Sequence, residues 1–182
     1  PITTNTNYNG AVTLKYNVND GIANTPAIQS VVLAAVNDLP TLTGTPATLA
    51  SGTEDQSYTV SIANLLAGYT DVETANLTVN SVAVYDATGN TVVGSATPSS
   101  DSNSYTITTN PNYNGAVTLK YNVNDGTANT AATQSVALAA VNDLPTLSSI
   151  STLTGASEDL YQEITYTELA TAANEADIDG SN

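Results

Sequence analysis

Acidic residues follow one order along this chain: Glu54-Asp55, then Asp71 and Glu73 two residues apart, then Asp125, then Asn142-Asp143. The head of that order returns as Glu158-Asp159 and as Asp177 and Asp179, and its tail comes earlier as Asp20 and Asn37-Asp38. These phrases hold twelve of the 17 carboxylates, so the acids are grouped and not scattered over polar strand faces. Grouped carboxylates repel one another unless something neutralises them. Hard divalent cations do so through oxygen ligands, and calcium takes about six to eight, mixing carboxylates with Asn and backbone carbonyls. Asn stands beside acid at 19–20, 37–38, 124–125 and 142–143, which adds to the oxygen supply. Zinc or copper would call for His or Cys, and the chain has neither.

The same composition excludes other chemistries. With two basic residues and a formal charge of −15, the surface repels nucleic acid and anionic membrane. Without Cys there are no disulfides and no thiol nucleophile. Without His or Cys the usual bases and nucleophiles of catalysis are missing. A carboxylate pair could cleave glycosides, but each acid here recurs with a repeat, so we expect no enzyme. No stretch is long and apolar enough to span a bilayer. The chain opens in mid-pattern, at "PITTN", and reads as a piece of something longer.

The elements that must hold these acids are also repeated. "NYNGAVTLKYNVNDG" occurs at 7–21 and again at 112–126, and over 2–42 against 107–147 the two copies agree at 36 of 41 positions. The period of about 105 residues is the size of a domain, not of a solenoid coil. We therefore expect residues 1–38 to be the tail of one repeat, 39–143 a complete one, and 144–182 the head of a third. Val117, Leu119, Tyr121 and Val123 alternate with polar residues, as do Val136, Leu138 and Ala140, Tyr58, Val60 and Ile62, and Tyr105 and Ile107. That period of two marks half-buried strands. Leu77 and Val79 fall out of phase with Val82 and Val84, which suggests a bulge. "DATGN" at 86–90 and "NYNG" at 112–115 read as turns, the second seating a Tyr. "NLLAGYTD" at 64–71 allows a helical turn, and "YTELATAANEA" at 166–176 a loop or single turn. Lys15 and Lys120 are expected to face an acid across a strand pair. The fold class is all-β, with tandem antiparallel β-sandwiches.

"TED", "DVE", "NYNG…YNVNDG" and "AVNDLP" together resemble the bacterial cadherin-like repeats of giant secreted adhesins. The resemblance implies calcium at the joints between successive sandwiches. It places Glu54 near the start of the domain, Asp71 and Glu73 (and Asp177 and Asp179) as the acid-x-acid pair at its top, Asp125 before the last hairpin, and Asn37-Asp38 and Asn142-Asp143 in the linkers. Amides stand in "NPNYNG" where animal cadherins carry a further acidic motif, so fewer ions per joint are implied. The bland alternatives are turns: Asn-Asp-Gly bends without metal, and Asp55 can cap one. The joint beside Asp38 is expected to be the better supplied, with Asp71 and Glu73 in its shell.

The leading expectation is a calcium-stiffened, secreted or cell-surface spacer that serves adhesion or biofilm formation. Its partners would be neighbouring repeats of the same chain. Two alternatives are a glycan- or protein-binding sandwich, with Tyr85 as a contact, and a subunit of a filament or surface layer made of identical chains.

Overall fold

A computed structural model describes residues 1–179; residues 180–182, where the expected third segment ends, lie outside the described residues. The chain is mostly strand. β1 (Gly10–Asn19) and β2 (Asn24–Leu33) form a hairpin and a two-stranded sheet of their own. β3 (Thr41–Leu42), β4 (Gly52–Thr53), β5 (Tyr58–Ser61), α1 (Ile62–Leu66) and β6 (Tyr69–Thr70) follow. Then come β7 (Thr78–Asp86), β8 (Val92–Pro98), β9 (Ser104–Thr109), β10 (Gly115–Asn124) and β11 (Asn129–Ala139). β12 (Thr146–Leu147), α2 (Tyr166–Ala173) and β13 (Glu175–Ala176) close the described chain. Seven strands pair in the order β4-β11-β10-β7-β8-β9-β5.

The described chain divides into two compact units, one of residues 1–48, 61–82 and 120–133, the other of 49–60, 83–119 and 134 onward. In the second unit, the edge strands β4 and β5 are joined by only the four residues 54–57. Seven strands laid flat would put those edges about 29 Å apart. The connecting chain reaches about 17 Å at most, so the sheet must curl over itself. Its core is Val60, Val84, Val93, Ile107, Val117, Leu119, Val136 and Leu138. In the first unit, Leu65, Val79, Tyr121, Val123 and Ala132 are buried. Each fully buried aliphatic side chain stabilises by about 1.5–3 kcal/mol relative to leaving it exposed.

The alternation of β10 is borne out: Val117, Leu119, Tyr121 and Val123 are all buried. The phase slip in β7 is real, with Ser81 at φ 56 between buried Val79 and Val84. A helical turn was expected within 64–71; the helix found is Ile62–Leu66, starting two residues earlier and ending at Leu66, and it is capped by Ser61, whose side chain accepts from Asn64 N–H at 3.1 Å.

Several expectations need correcting. α2 is eight residues long, not a loop or single turn. Thr165 accepts from Glu168 N–H, and Glu168 Oε2 accepts from Thr165 N–H at 2.8 Å, a reciprocal cap that its mate at Ser61 lacks. β8 carries no readable alternation, because Val93 is its one buried side chain. Gly94 sits there because a Cβ would lie 2.4 Å from Thr108 O. β4 runs parallel to β11, not antiparallel, with Leu138 opposite Gly52. Ala140 lies just past β11 and is exposed. Opposite Lys15 stands Ile28, not an acid.

Candidate metal centre

Two short ladders build the site. β3 pairs with β6, Thr41 opposite Thr70, and β12 pairs with β13, Thr146 opposite Ala176. Three residues beyond each ladder, the linker acid meets the second acid of the acid-x-acid pair. Asp38 N–H donates to Glu73 Oε2 at 2.9 Å, and Asp143 N–H donates to Asp179 Oδ2 at 2.5 Å. The first acid of each pair folds back on its own turn. Asp71 Oδ1 accepts from Glu73 and Thr74 N–H at 3.0 and 2.9 Å, and Asp177 Oδ1 accepts from Asp179 N–H at 2.9 Å. The turn reading of "DVE" is thus true of one oxygen. The other, Asp71 Oδ2, is buried without a partner.

At the joint beside Asp38, Asn37 Nδ2 donates to Asp38 O at 2.7 Å and to Asp125 Oδ2 at 2.9 Å. Asp125 Oδ1 is occupied by Thr127 and Ala128 N–H at 2.6 and 2.7 Å. Its pKa lies below the ordinary value, through the Ala128 N–H first and the Asn37 amide next. Hydrogen bonds thus link Asn37 to Asp38 and Asp125, Asp38 to Glu73, and Glu73 to Asp71.

The closer gathering of carboxylates is at the other joint. Oxygens of Glu54, Asp143 and Asp179 all lie within 4.8 Å of one another. Glu54 is fully buried, at 0% exposure. β4 carries it alongside β11, where its N–H donates to Ala139 O at 2.9 Å. Its Oε1 accepts from Val141 N–H at 2.6 Å and its Oε2 from Asn114 Nδ2 at 3.3 Å. Asn142 Nδ2 donates to Asp143 O at 2.8 Å, repeating the Asn37 geometry. Asp143 Oδ2 is buried and has no partner. Lost hydration, then the charges of Asp179, Asp55, Glu54 and Asp177, raises the Asp143 pKa above the usual carboxylate value. Asp177 itself stands outside the triad.

Sequence reasoning missed the amides of "NYNG" as partners of the acids. Asn112 N–H donates to Asp55 Oδ1 at 2.9 Å, and Asn114 reaches Glu54. The expected Tyr seat is also present, Tyr113 OH donating to Ala116 O at 3.2 Å. The signal was there, since "NYNG" recurs with the acidic phrases. Asp20 is confined to its hairpin turn, accepting from Ile22 and Ala23 N–H. Tyr85 is half-buried in β7.

Three carboxylates, one of them wholly buried and another with a buried unpartnered oxygen, suit a hard, oxygen-loving cation. With no His or Cys in the chain, the donor set is oxygen only. A calcium ion fits these residues.

Among solved structures, an endo-fucoidan hydrolase of glycoside hydrolase family 107 is 22% identical over 73% of this chain and 19% of its own, with a TM-score of 0.38. A second structure of that enzyme gives 21% and 0.38. The chain spans about a fifth of those enzymes' length. No curated protein matches it. Residues 36–139, more than half of the chain, match the model of the cadherin-like domain, and to that family the chain belongs.

Proposed function

We propose that this chain is a calcium-stiffened spacer of a large cell-surface adhesin, working outside the cell in adhesion or biofilm formation and carrying no catalytic task. The observation behind this reading is Glu54. A wholly buried carboxylate with an oxygen within 4.8 Å of those of two more needs neutralising. Burying unneutralised charge is costly. Glu54 comes from the complete repeat, Asp143 from the linker and Asp179 from the segment beyond. An ion held by all three would tie the linker at both ends. Without it, like charges push the joint apart and the linker flexes. The rigid frame is ready: Val141 and Asn114 orient Glu54, and Asp179 already holds the Asp143 N–H.

Extracellular calcium modules bind at about 10⁻⁴–10⁻³ M. Calorimetric titration with calcium should show binding in that range, and small-angle scattering should show a longer, stiffer particle with calcium than in chelator. Binding without any change in scattering would leave a calcium protein that is not a stiffened spacer. Absence of binding at millimolar calcium would remove the reading altogether.

A further inference from the structure

Asn114 stands against the Glu54 cluster as an amide, and the residue after it is Gly115. Of the asparagines in the chain, only Asn9 and Asn114 precede glycine. That order matters chemically. A backbone nitrogen can attack the side-chain carbonyl of the asparagine before it, and a side chain on the attacking residue obstructs the approach. Glycine carries none. The approach at 114–115 is open. Asn114 and Gly115 are both exposed, where the "NYNG" turn enters β10. Gly115 has φ +97, and even a Cβ placed on it would meet nothing within 4 Å.

The amide is also held beside charge. Asn114 Nδ2 donates to Glu54 Oε2 at 3.3 Å, so the nitrogen that can leave lies against the buried carboxylate. Oxygens of Glu54, Asp143 and Asp179 lie within 4.8 Å of one another there. Asn114 and these three acids belong to the same compact unit.

We propose that Asn114 is a self-deamidation site that adds a further carboxylate to the cation site at Glu54. Gly115 N bonds to Asn114 Cγ and closes a succinimide ring. The Nδ2 group leaves as ammonia and takes the Gly115 amide proton with it. Water then adds to one of the two ring carbonyls and breaks the bond from that carbon to nitrogen. The product is aspartate or isoaspartate at position 114. Water is the co-reactant, and nothing is oxidised or reduced. In the aspartate product an anionic oxygen replaces the donor that faced Glu54. Without metal the like charges repel. With metal the added charge tightens the site, because ligand charge count tunes calcium affinity. This consequence rests on the calcium reading above. The fresh chain binds calcium more loosely and the aged chain more tightly, with no added factor.

Peptide mapping of the 182-residue chain, aged in warm and mildly alkaline buffer, tests the chemistry. Asn114 should convert well ahead of Asn112, which precedes Tyr113. Conversion no faster than at Asn112 overturns the proposal. Calorimetric calcium titration tests the consequence. Asn114→Asp should bind about tenfold more tightly than the fresh parent. The affinity of the parent should rise on ageing. That of Asn114→Gln, whose longer side chain must close a larger and slower ring, should stay constant. This variant keeps Asn9, so a constant affinity assigns the change to position 114. If the parent binds calcium and Asn114→Asp binds no tighter, this proposal falls and the spacer reading stands. If the fresh parent does not bind and Asn114→Asp does, the deamidated form is the working one and this proposal stands. If neither binds, both fall.

Discussion

Glu54→Gln separates a metal ligand from a structural acceptor. The amide keeps the volume of the side chain and can still accept from Val141 N–H, at 2.6 Å in the parent. Its NH₂ group then meets Asn114 Nδ2, donor against donor, but Asn114 is exposed and can turn its own amide over. In exchange, one negative charge leaves a cluster that also contains Asp143 and Asp179. In chelator the variant should therefore melt at the parent's temperature or above it. With calcium the order reverses. At calcium about 100-fold over its dissociation constant, binding stabilises the parent by about 2.7 kcal/mol. For a domain of about 100 residues this is a rise of about 10–20 °C in melting temperature. The variant should lose most of that rise. The assay is paired thermal unfolding by circular dichroism, in chelator and in calcium. If the variant melts well below the parent in chelator while keeping the full calcium increment, Glu54 is only an acceptor for Val141 and the metal reasoning is wrong.

Tyr121→Ala should cost about 3–5 kcal/mol in chemical unfolding, because a large ring leaves a closed core and the Leu65 carbonyl loses its donor; a loss below about 1 kcal/mol would mean that the ring does not support the core. The same burial, with the nearby Tyr69, pushes the Tyr121 hydroxyl up to about 12, so spectrophotometric titration should find one tyrosine that ionises last. Gly94→Ala places a methyl 2.4 Å from Thr108 O and should destabilise by about 1–3 kcal/mol, since backbone and not a flexible side chain must move. Asp86 is held near a pKa of about 2, first by the Thr88 hydroxyl and also by Asn90 N–H, against a usual 3.8. Its folded value is depressed, so its contribution is complete above 3.8 and is lost as the pH falls from there towards 2. Carboxyl NMR should show this late titration, and Thr88→Ala should move it upward; an unshifted midpoint would contradict the turn geometry.

Much of the fold was legible because one face of β10 and of β11 is dry. Val117, Leu119, Tyr121 and Val123 could be assigned to the core since their partners in alternation must stay wet. β8 escaped for the converse reason. Val93 alone is buried there, and the rest of the strand is small or polar because Gly94 lets two backbones approach. α2 escaped because propensity alone does not set helix length. The reciprocal cap of Thr165 and Glu168 does, and the comparison with Ser61 concealed it. The partners of Glu54 lie 60 and 87 positions away, at Asn114 and Val141. They meet it only because β4 runs parallel beside β11, a pairing that two residues of strand cannot announce by periodicity.

The acidic site was nonetheless written in the chain, in its spacing. A ladder of two pairs is too short to show alternation, yet the linker acid stands three residues before the ladder in both copies, Asp38 before Thr41 and Asp143 before Thr146. On the opposite strand the second acid of the pair stands three residues after, Glu73 after Thr70 and Asp179 after Ala176. Antiparallel partners separate at equal rates from a shared pair, so equal offsets bring the two acids face to face. Each linker acid accordingly gives its backbone N–H to the facing carboxylate, Asp38 to Glu73 and Asp143 to Asp179. At Asp143 the register also brings the two carboxylates, with Glu54, within 4.8 Å of one another. Like charges so close repel, so a register that imposes them is intelligible when a cation stands between.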